Sequence, residues 1–372
     1  MKFSIDKNII LEGINNVIKA ISTKNVIPVL NGIMFNLKKD GLHLLASDSE
    51  LTIKTFIDKK EIKNIEQEGS IVIQSKYILE IIRKMPSDVI NFEVLDGFKI
   101  RIYTENNQYN LNCLDSNDYP NIKIDESKNP IVIKANELKT IINQTSFAIS
   151  TQELRPLLTG INIKINEDLL ECVATDSYRL AKKNIKLNEA VNNSVDIVIP
   201  GRNINELEKL LTDEEEVGIH VFNNKVLFIY KNIMFQSNLL SGTYPNTSNL
   251  IPNEFAYIIK TDFDSFASAI DRAALLTQGK DKNIIKMNLD KENMLISSSS
   301  SELGRVDEKL IVETNNKEKI EISFSSKYML EALKTIKDEE ILILLNSDNK
   351  PIIVKSVKDD TLIQLILPIK TY

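Results

Sequence analysis

Ala46-Ser47-Asp48-Ser49-Glu50-Leu51 returns later in the chain as Ala174-Thr175-Asp176-Ser177-Tyr178-Arg179, and this recurrence decides the fold. A fainter third copy runs from Ser298 to Leu303, inside the serine run Ser297 to Ser301. Further out, Gln74-Ser75-Lys76-Tyr77-Ile78-Leu79-Glu80 matches Ser325-Ser326-Lys327-Tyr328-Met329-Leu330-Glu331, with Pro200-Gly201-Arg202-Asn203-Ile204-Asn205-Glu206 between them. Tyr119-Pro120-Asn121 recurs as Tyr244-Pro245-Asn246. A period of about 125 residues is one domain's worth, so the chain reads as three similar domains. The cuts fall among Pro, Asn and Ser, giving domains 1–125, 126–250 and 251–372.

Each domain is itself doubled. Short β-branched strands such as Ile71-Val72-Ile73, Ile131-Val132-Ile133 and Ile197-Val198-Ile199 run into a polar residue and then a helical pattern. Apolar residues recur at helix spacing six times, beginning at Ile10, Ile78, Leu138, Ile204, Phe263 and Met329. Offsets of three, four and seven give each helix one apolar stripe. Asp6 and Ser75 are placed to cap the first two helices. Alternating stretches such as Tyr109-Asn110-Leu111-Asn112-Cys113 read as strands with one buried face. The fold class is therefore α+β, with two helices per domain backed by antiparallel sheet.

The second helices share one polar pattern. Base, acid and base follow at offsets of four and seven in Lys76, Glu80, Arg83, then Arg202, Glu206, Lys209, then Lys327, Glu331, Lys334. These offsets put each triplet on one solvent stripe. A solvated face with weak ion pairs would explain one such stripe. Threefold recurrence favours a ring of positive positions around a common axis, suited to holding a phosphate backbone loosely and without sequence preference. The first helices add little, with Lys19, Lys139 and Arg272 scattered among acids.

The 372 residues are 42% hydrophobic and 26% charged, as in a globular protein, and the net charge of −6 argues against broad attraction to nucleic acid. Cys113 and Cys172 form neither a ligand cluster nor a disulfide framework, as expected of a reduced cytoplasmic protein. The opening residues lack a signal peptide's apolar run, and no stretch suits a membrane span.

The three repeats, the segment Ala174 to Leu180, the Tyr-Pro-Asn linkers and the ending Leu367-Pro368-Ile369-Lys370-Thr371-Tyr372 together resemble the DNA polymerase III beta subunit family, the bacterial sliding clamps. The resemblance runs over residues 1 to 372. It implies the DNA clamp fold and a head-to-tail homodimer that closes a six-domain ring around duplex DNA, with no cofactor and no metal. It implies a pocket for a short Gln- and Leu/Phe-containing peptide. The second domain would supply Leu158, Thr175, Ser177, Tyr178, Arg179, Leu180, Pro245 and Leu250. The third would supply Pro351, Leu365, Ile366, Leu367, Pro368, Ile369 and Lys370. On the residues alone, Leu365 to Ile369 is equally a last sheet strand. Lys370 stands where the family commonly has arginine, and lysine lacks arginine's forked contacts. Partners implied are the replicative polymerase alpha subunit, the clamp loader and other proteins carrying the clamp-binding motif. Tyr109 and Leu111 would meet Leu275 and Leu276 of a second copy, with ordinary core as the alternative. Lys24 and Gln152 would join Lys76, Arg83, Arg202, Lys209, Lys327 and Lys334 near DNA, or be solvated surface.

An enzyme is not expected. His43 and His220 sit in apolar strand patterns, and no phosphate-binding glycine loop or metal-ligand spacing occurs. The acidic run Asp213 to Glu216 reads as a solvated helix end. Asp48 and Asp176 share a repeat position, which a turn role explains. A repeat protein that does not encircle DNA, and a hydrolase or nuclease, are the alternatives; the former lacks a reason for the basic stripes, the latter a metal cluster or nucleophile.

Overall fold

A computed structural model describes residues 1–22, 26–277 and 283–370. Six helices occur among them: α1 (Lys7–Val17), α2 (Ser75–Lys84), α3 (Ala135–Thr145), α4 (Gly201–Glu208), α5 (Phe263–Ala274) and α6 (Ser326–Leu333). Each lies where the spacing placed it and buries most of its stripe; Ile81, Phe263 and Ala267 are half-buried, and Met85, Leu211 and Ile336 follow just after their helices. In α1 the buried residues include Ile10, Ile14 and Val17. In α5 they are Phe266, Ala269, Ile270 and Ala273. Asp6 caps α1, its carboxylate accepting from the Asn8 N–H at 2.8 Å. Ser75 does not cap α2. It is the first helical residue, and its hydroxyl donates to the Asn31 carbonyl at 2.8 Å. Ser326, at the same repeat position, donates likewise to the Asn283 carbonyl at 3.0 Å. The cap position one residue earlier is Gln74 in one copy and Ser325 in the other, and only Ser325 accepts a bond from its helix.

Every ladder that joins the named strands is antiparallel, as the α+β reading requires. The sheets do not stop at repeat boundaries. Strand Ile233–Asn238 pairs with Leu51–Asp58 inside an eight-stranded sheet, and Leu362–Ile366 pairs with Arg179–Lys186 inside a nine-stranded one. The chain consequently divides into two compact units that cut across the repeat: residues 1–137 with 206–239, and 138–205 with 240–372. The second unit's main core joins α5 and α6 through Phe266, Ile270, Phe324, Met329 and Leu333. Gly32 and Gly160 open equivalent strands. A Cβ there would lie 2.4 Å from the Val72 side chain or 2.5 Å from the Ile199 carbonyl oxygen, so each glycine permits close strand packing.

Glu214, Glu215 and Glu216 of the acidic run are exposed, as a solvated segment requires, but Asp213 is anchored. Asp213 pairs with Lys231 and accepts from the Tyr230 hydroxyl at 2.7 Å and the Glu215 N–H at 3.1 Å. The Lys231 ammonium, then these hydrogen bonds, hold its carboxyl down at about 2. Because the folded value is depressed, the stability it contributes is complete above the unfolded value of about 4 and is lost as pH falls towards about 2. A 13C titration should find the Asp213 midpoint near that value, and Lys231→Met should raise it towards the ordinary carboxylate range. An ordinary midpoint in the unaltered chain would refute the anchoring.

Candidate partner-binding and nucleic-acid surfaces

The recurring hexapeptide is a turn built twice. In the second copy the Thr175 hydroxyl donates to the Arg179 carbonyl at 2.6 Å, and Asp176 accepts from the Tyr178 and Arg179 N–H groups at 2.9 and 3.0 Å. Ser177 takes φ +77°. In the first copy Ser47 donates to Leu51, Asp48 accepts from Glu50 and Leu51, and Ser49 takes φ +79°. Both aspartates accept from backbone N–H groups of the turn, which is the role expected of them.

After the turn, strand alternation sorts the side chains in the second unit. Leu180 and Leu365 stand opposite one another in the ladder and point to one side. There they pack with Leu158, Val173, Val198, Tyr244, Leu344 and Ile353. Tyr178 and Leu367 are exposed beside this floor at 58 and 37%, and Leu250 is exposed at 50% next in the chain to Ile251, which packs on the floor. Three apolar side chains left in water around a buried aliphatic floor make a surface that can take apolar anchors. Pro351, Pro368 and Ile369 are half-buried, whereas Ser177, Pro245 and Lys370 are exposed. The Leu367 N–H donates to the Tyr178 carbonyl at 2.9 Å and the Ile369 N–H to Ser323 at 2.7 Å, which fixes the chain's path past the patch.

Two residues expected in the pocket face away from it. Ile366 lies in the core around α5 and α6. Arg179 is buried with its guanidinium 5.2 Å from the Phe147 ring and 4.5 Å from the Tyr328 ring, paired with Asp176 and Glu331. The reason is the two-residue period of strands: neighbours of Leu180 and Leu365 must point to the other face. Arg179 therefore holds the patch in place from behind. Two contributors escaped the sequence reading. The Tyr244 hydroxyl accepts from the Thr175 N–H at 3.2 Å, and Arg155 donates to the Ser177 hydroxyl at 3.0 Å. The recurrence of Tyr119 as Tyr244 was the available signal for the first, although it also suits a linker.

The basic stripes are on the surface, with Lys76, Arg83, Arg202, Lys209, Lys327 and Lys334 all exposed. Their acids differ in use. Glu80 pairs with Arg83 at 2.7 Å and Glu206 with Lys209 at 2.7 Å, but Glu331 turns to Arg179. Of the scattered bases, Arg272 is neutralised by a forked pair with Glu308 at 2.9 and 2.7 Å. Burial lowers the Lys19 pKa, against the pull of Glu206. Gln152 is exposed, and Lys24 lies outside the described residues.

Tyr109 is exposed and Leu111 half-buried on the edge strand Gln108–Asn112. Leu275 is exposed and Leu276 half-buried in the turn after α5. The histidines are strand residues. His220 accepts from the Ser127 N–H at 2.9 Å, and His43 meets the Asp40 carboxylate at 3.0 Å. Burial pushes both thiols, Cys113 and Cys172, up to about 12. Among the described residues no helix is long and apolar enough to cross a membrane.

The DNA polymerase III beta subunit family model matches in three consecutive pieces, its N-terminal domain over 1–123, central domain over 132–246 and C-terminal domain over 248–370. The beta sliding clamp of Bacillus subtilis is 40% identical, with both chains fully covered. That of Staphylococcus aureus is 38% identical, again over the whole of both chains. Among solved structures, the DNA polymerase sliding clamp of Bacillus subtilis superposes with a TM-score of 0.96 over 100% of each chain at 40% identity. The DNA polymerase III beta chain of Streptococcus pneumoniae does so with a TM-score of 0.95 at 32% identity.

Proposed function

This chain belongs to the DNA polymerase III beta subunit family, the sliding clamps, and on that premise we propose how it handles DNA and its protein partners. It is a replication clamp of three domains and acts as a processivity factor, not as a catalyst. The observation that carries this is collinearity: all three clamp domains follow in order, and full-length clamps align from end to end. Domains 1–125, 126–250 and 251–372 would each present one helix pair inward. Two copies, meeting head to tail through Tyr109 and Leu111 against Leu275 and Leu276, would close a ring on duplex DNA in the bacterial cytoplasm.

The exposed bases on α2, α4 and α6 and just beyond the ends of α4 and α6 would hold the DNA backbone weakly. Weakness suits the task, because a protein fixed to phosphates cannot travel with a polymerase. The patch around Leu180 and Leu365 would take the apolar residues of a partner's peptide. The polymerase alpha subunit, the clamp loader and other motif-bearing proteins would therefore compete for one place. Lys370 at the rim supplies a point charge where a guanidinium would fork.

The test is topological. The protein is loaded onto nicked circular DNA by a loader already shown to work on the Bacillus subtilis clamp. Half the sample is then linearised and retention is followed by gel filtration. Survival on circles with loss from linear DNA is expected of an encircling clamp. Equal retention on both forms would mean direct backbone binding and would end the clamp mechanism.

A further inference from the structure

We infer that the first unit carries a second binding pocket, the polar sister of the peptide patch, which takes a cationic peptide side chain. A cavity of about 220 Å³ lies there beside the first copy of the turn. The ladders identify its walls position by position. Thr52 faces Gln236 as Leu180 faces Leu365. The Asn238 N–H donates to the Glu50 carbonyl at 2.9 Å, as the Leu367 N–H donates to the Tyr178 carbonyl at 2.9 Å. Leu30 and Pro120 stand where Leu158 and Pro245 stand in the other copy. The fold has therefore built the same strand-and-turn framework twice and changed its chemistry. Four apolar positions, Tyr178, Leu180, Leu365 and Leu367, are here Glu50, Thr52, Gln236 and Asn238.

Among the described residues, Glu50 is the one charged residue that lines the cavity. Gln236 is 8% exposed, lines the cavity, and its Oε1 atom has no hydrogen-bond partner. A buried acceptor left without a donor costs free energy, so the site is poised for a ligand that donates. Asn238 spends its amide N–H on the Ser49 carbonyl at 3.1 Å and the Glu50 carboxylate at 3.3 Å. The Ser47 hydroxyl donates to Leu51. Towards a ligand the cavity presents the Gln236 carbonyl inside and the Glu50 carboxylate at its exposed edge. A carbonyl and a carboxylate lining one cavity, with Leu30 and Ile122 to pack an aliphatic stem, fit an ammonium or guanidinium on a methylene chain. That the cation belongs to a peptide and not to a free amine rests on the peptide reading of the sister patch. The preference for a cation does not.

The test uses the full-length dimer, deuterated and 13C-labelled at Leu and Ile methyls. The probes are N-acetyl-arginine amide, its neutral isostere N-acetyl-citrulline amide, and spermidine. Arginine amide is expected to shift the Leu30 and Ile122 methyls while leaving Leu158 and Leu365 unmoved, and citrulline amide to bind at least about tenfold more weakly. Glu50→Gln, on the exposed rim, should remove the same tenfold, and Gln236→Leu should weaken binding without unfolding a chain whose sister site already has leucine there. No methyl shift with arginine amide, equal binding of citrulline amide, or indifference to Glu50→Gln would each overturn the pocket. Tighter binding of spermidine than of arginine amide would overturn its assignment to a side chain. A clamp-motif peptide, read at Leu158 and Leu365, reports separately on the sister patch.

Discussion

Deleting Leu367 to Tyr372 is expected to weaken binding of a Gln- and Leu/Phe-containing partner peptide by about a hundredfold or more, measured by fluorescence anisotropy. Leu367 is exposed beside the aliphatic floor and its N–H is bonded to the Tyr178 carbonyl, so the deletion removes both an apolar wall and the tether of the opposite rim. Two or three aliphatic side chains at about 1.5 kcal/mol each are sufficient for that effect. The floor itself survives, because Leu180 and Leu365 stay paired in the sheet. Leu367→Asp should reproduce most of the effect in a full-length chain. Peptide affinity unchanged by the deletion would place the binding site elsewhere.

The second large effect concerns DNA. Arg202→Glu combined with Lys209→Glu should shorten retention on nicked circles by about tenfold and lower the salt slope of retention by roughly two, one for each phosphate no longer neutralised. Both positions are exposed, and Lys209 is paired at 2.7 Å with Glu206, so the change turns a mixed stripe into three successive acids. The dimer, followed by sedimentation, should be spared, because neither residue is among those proposed for the subunit contact. Retention equal to the unaltered protein's would show that this stripe is not the DNA face.

Glu331 shows where a pattern in the chain can mislead. Its spacing in the third stripe matches that of Glu80 and Glu206, yet it is drawn to Arg179 and leaves the stripe's pairing. Arg179 is itself an example. In the chain it sits between Tyr178 and Leu180 and reads as one more pocket residue, but it is held from behind by two aromatic rings and two carboxylates. Ser75 fails as a cap for a similar reason, since the carbonyl it serves is that of Asn31, far away in the chain.

The repeats, the six helices with their buried stripes, the α+β class and the paired turns at Asp48 and Asp176 were all legible in the order of residues. These features are set by interactions within a few residues, by the helical and strand periods, and by the duplication that copies them. Which strands of one repeat complete the sheets of the next was not legible there, and neither was the side of each strand that forms a floor. Folding placed Leu365 opposite Leu180 and Gln236 opposite Thr52 across separations of well over a hundred residues. Register between such strands depends on a ladder of backbone hydrogen bonds, which no local pattern specifies. A shift of one residue would exchange Leu365 for Ile366, and with it the patch for the core.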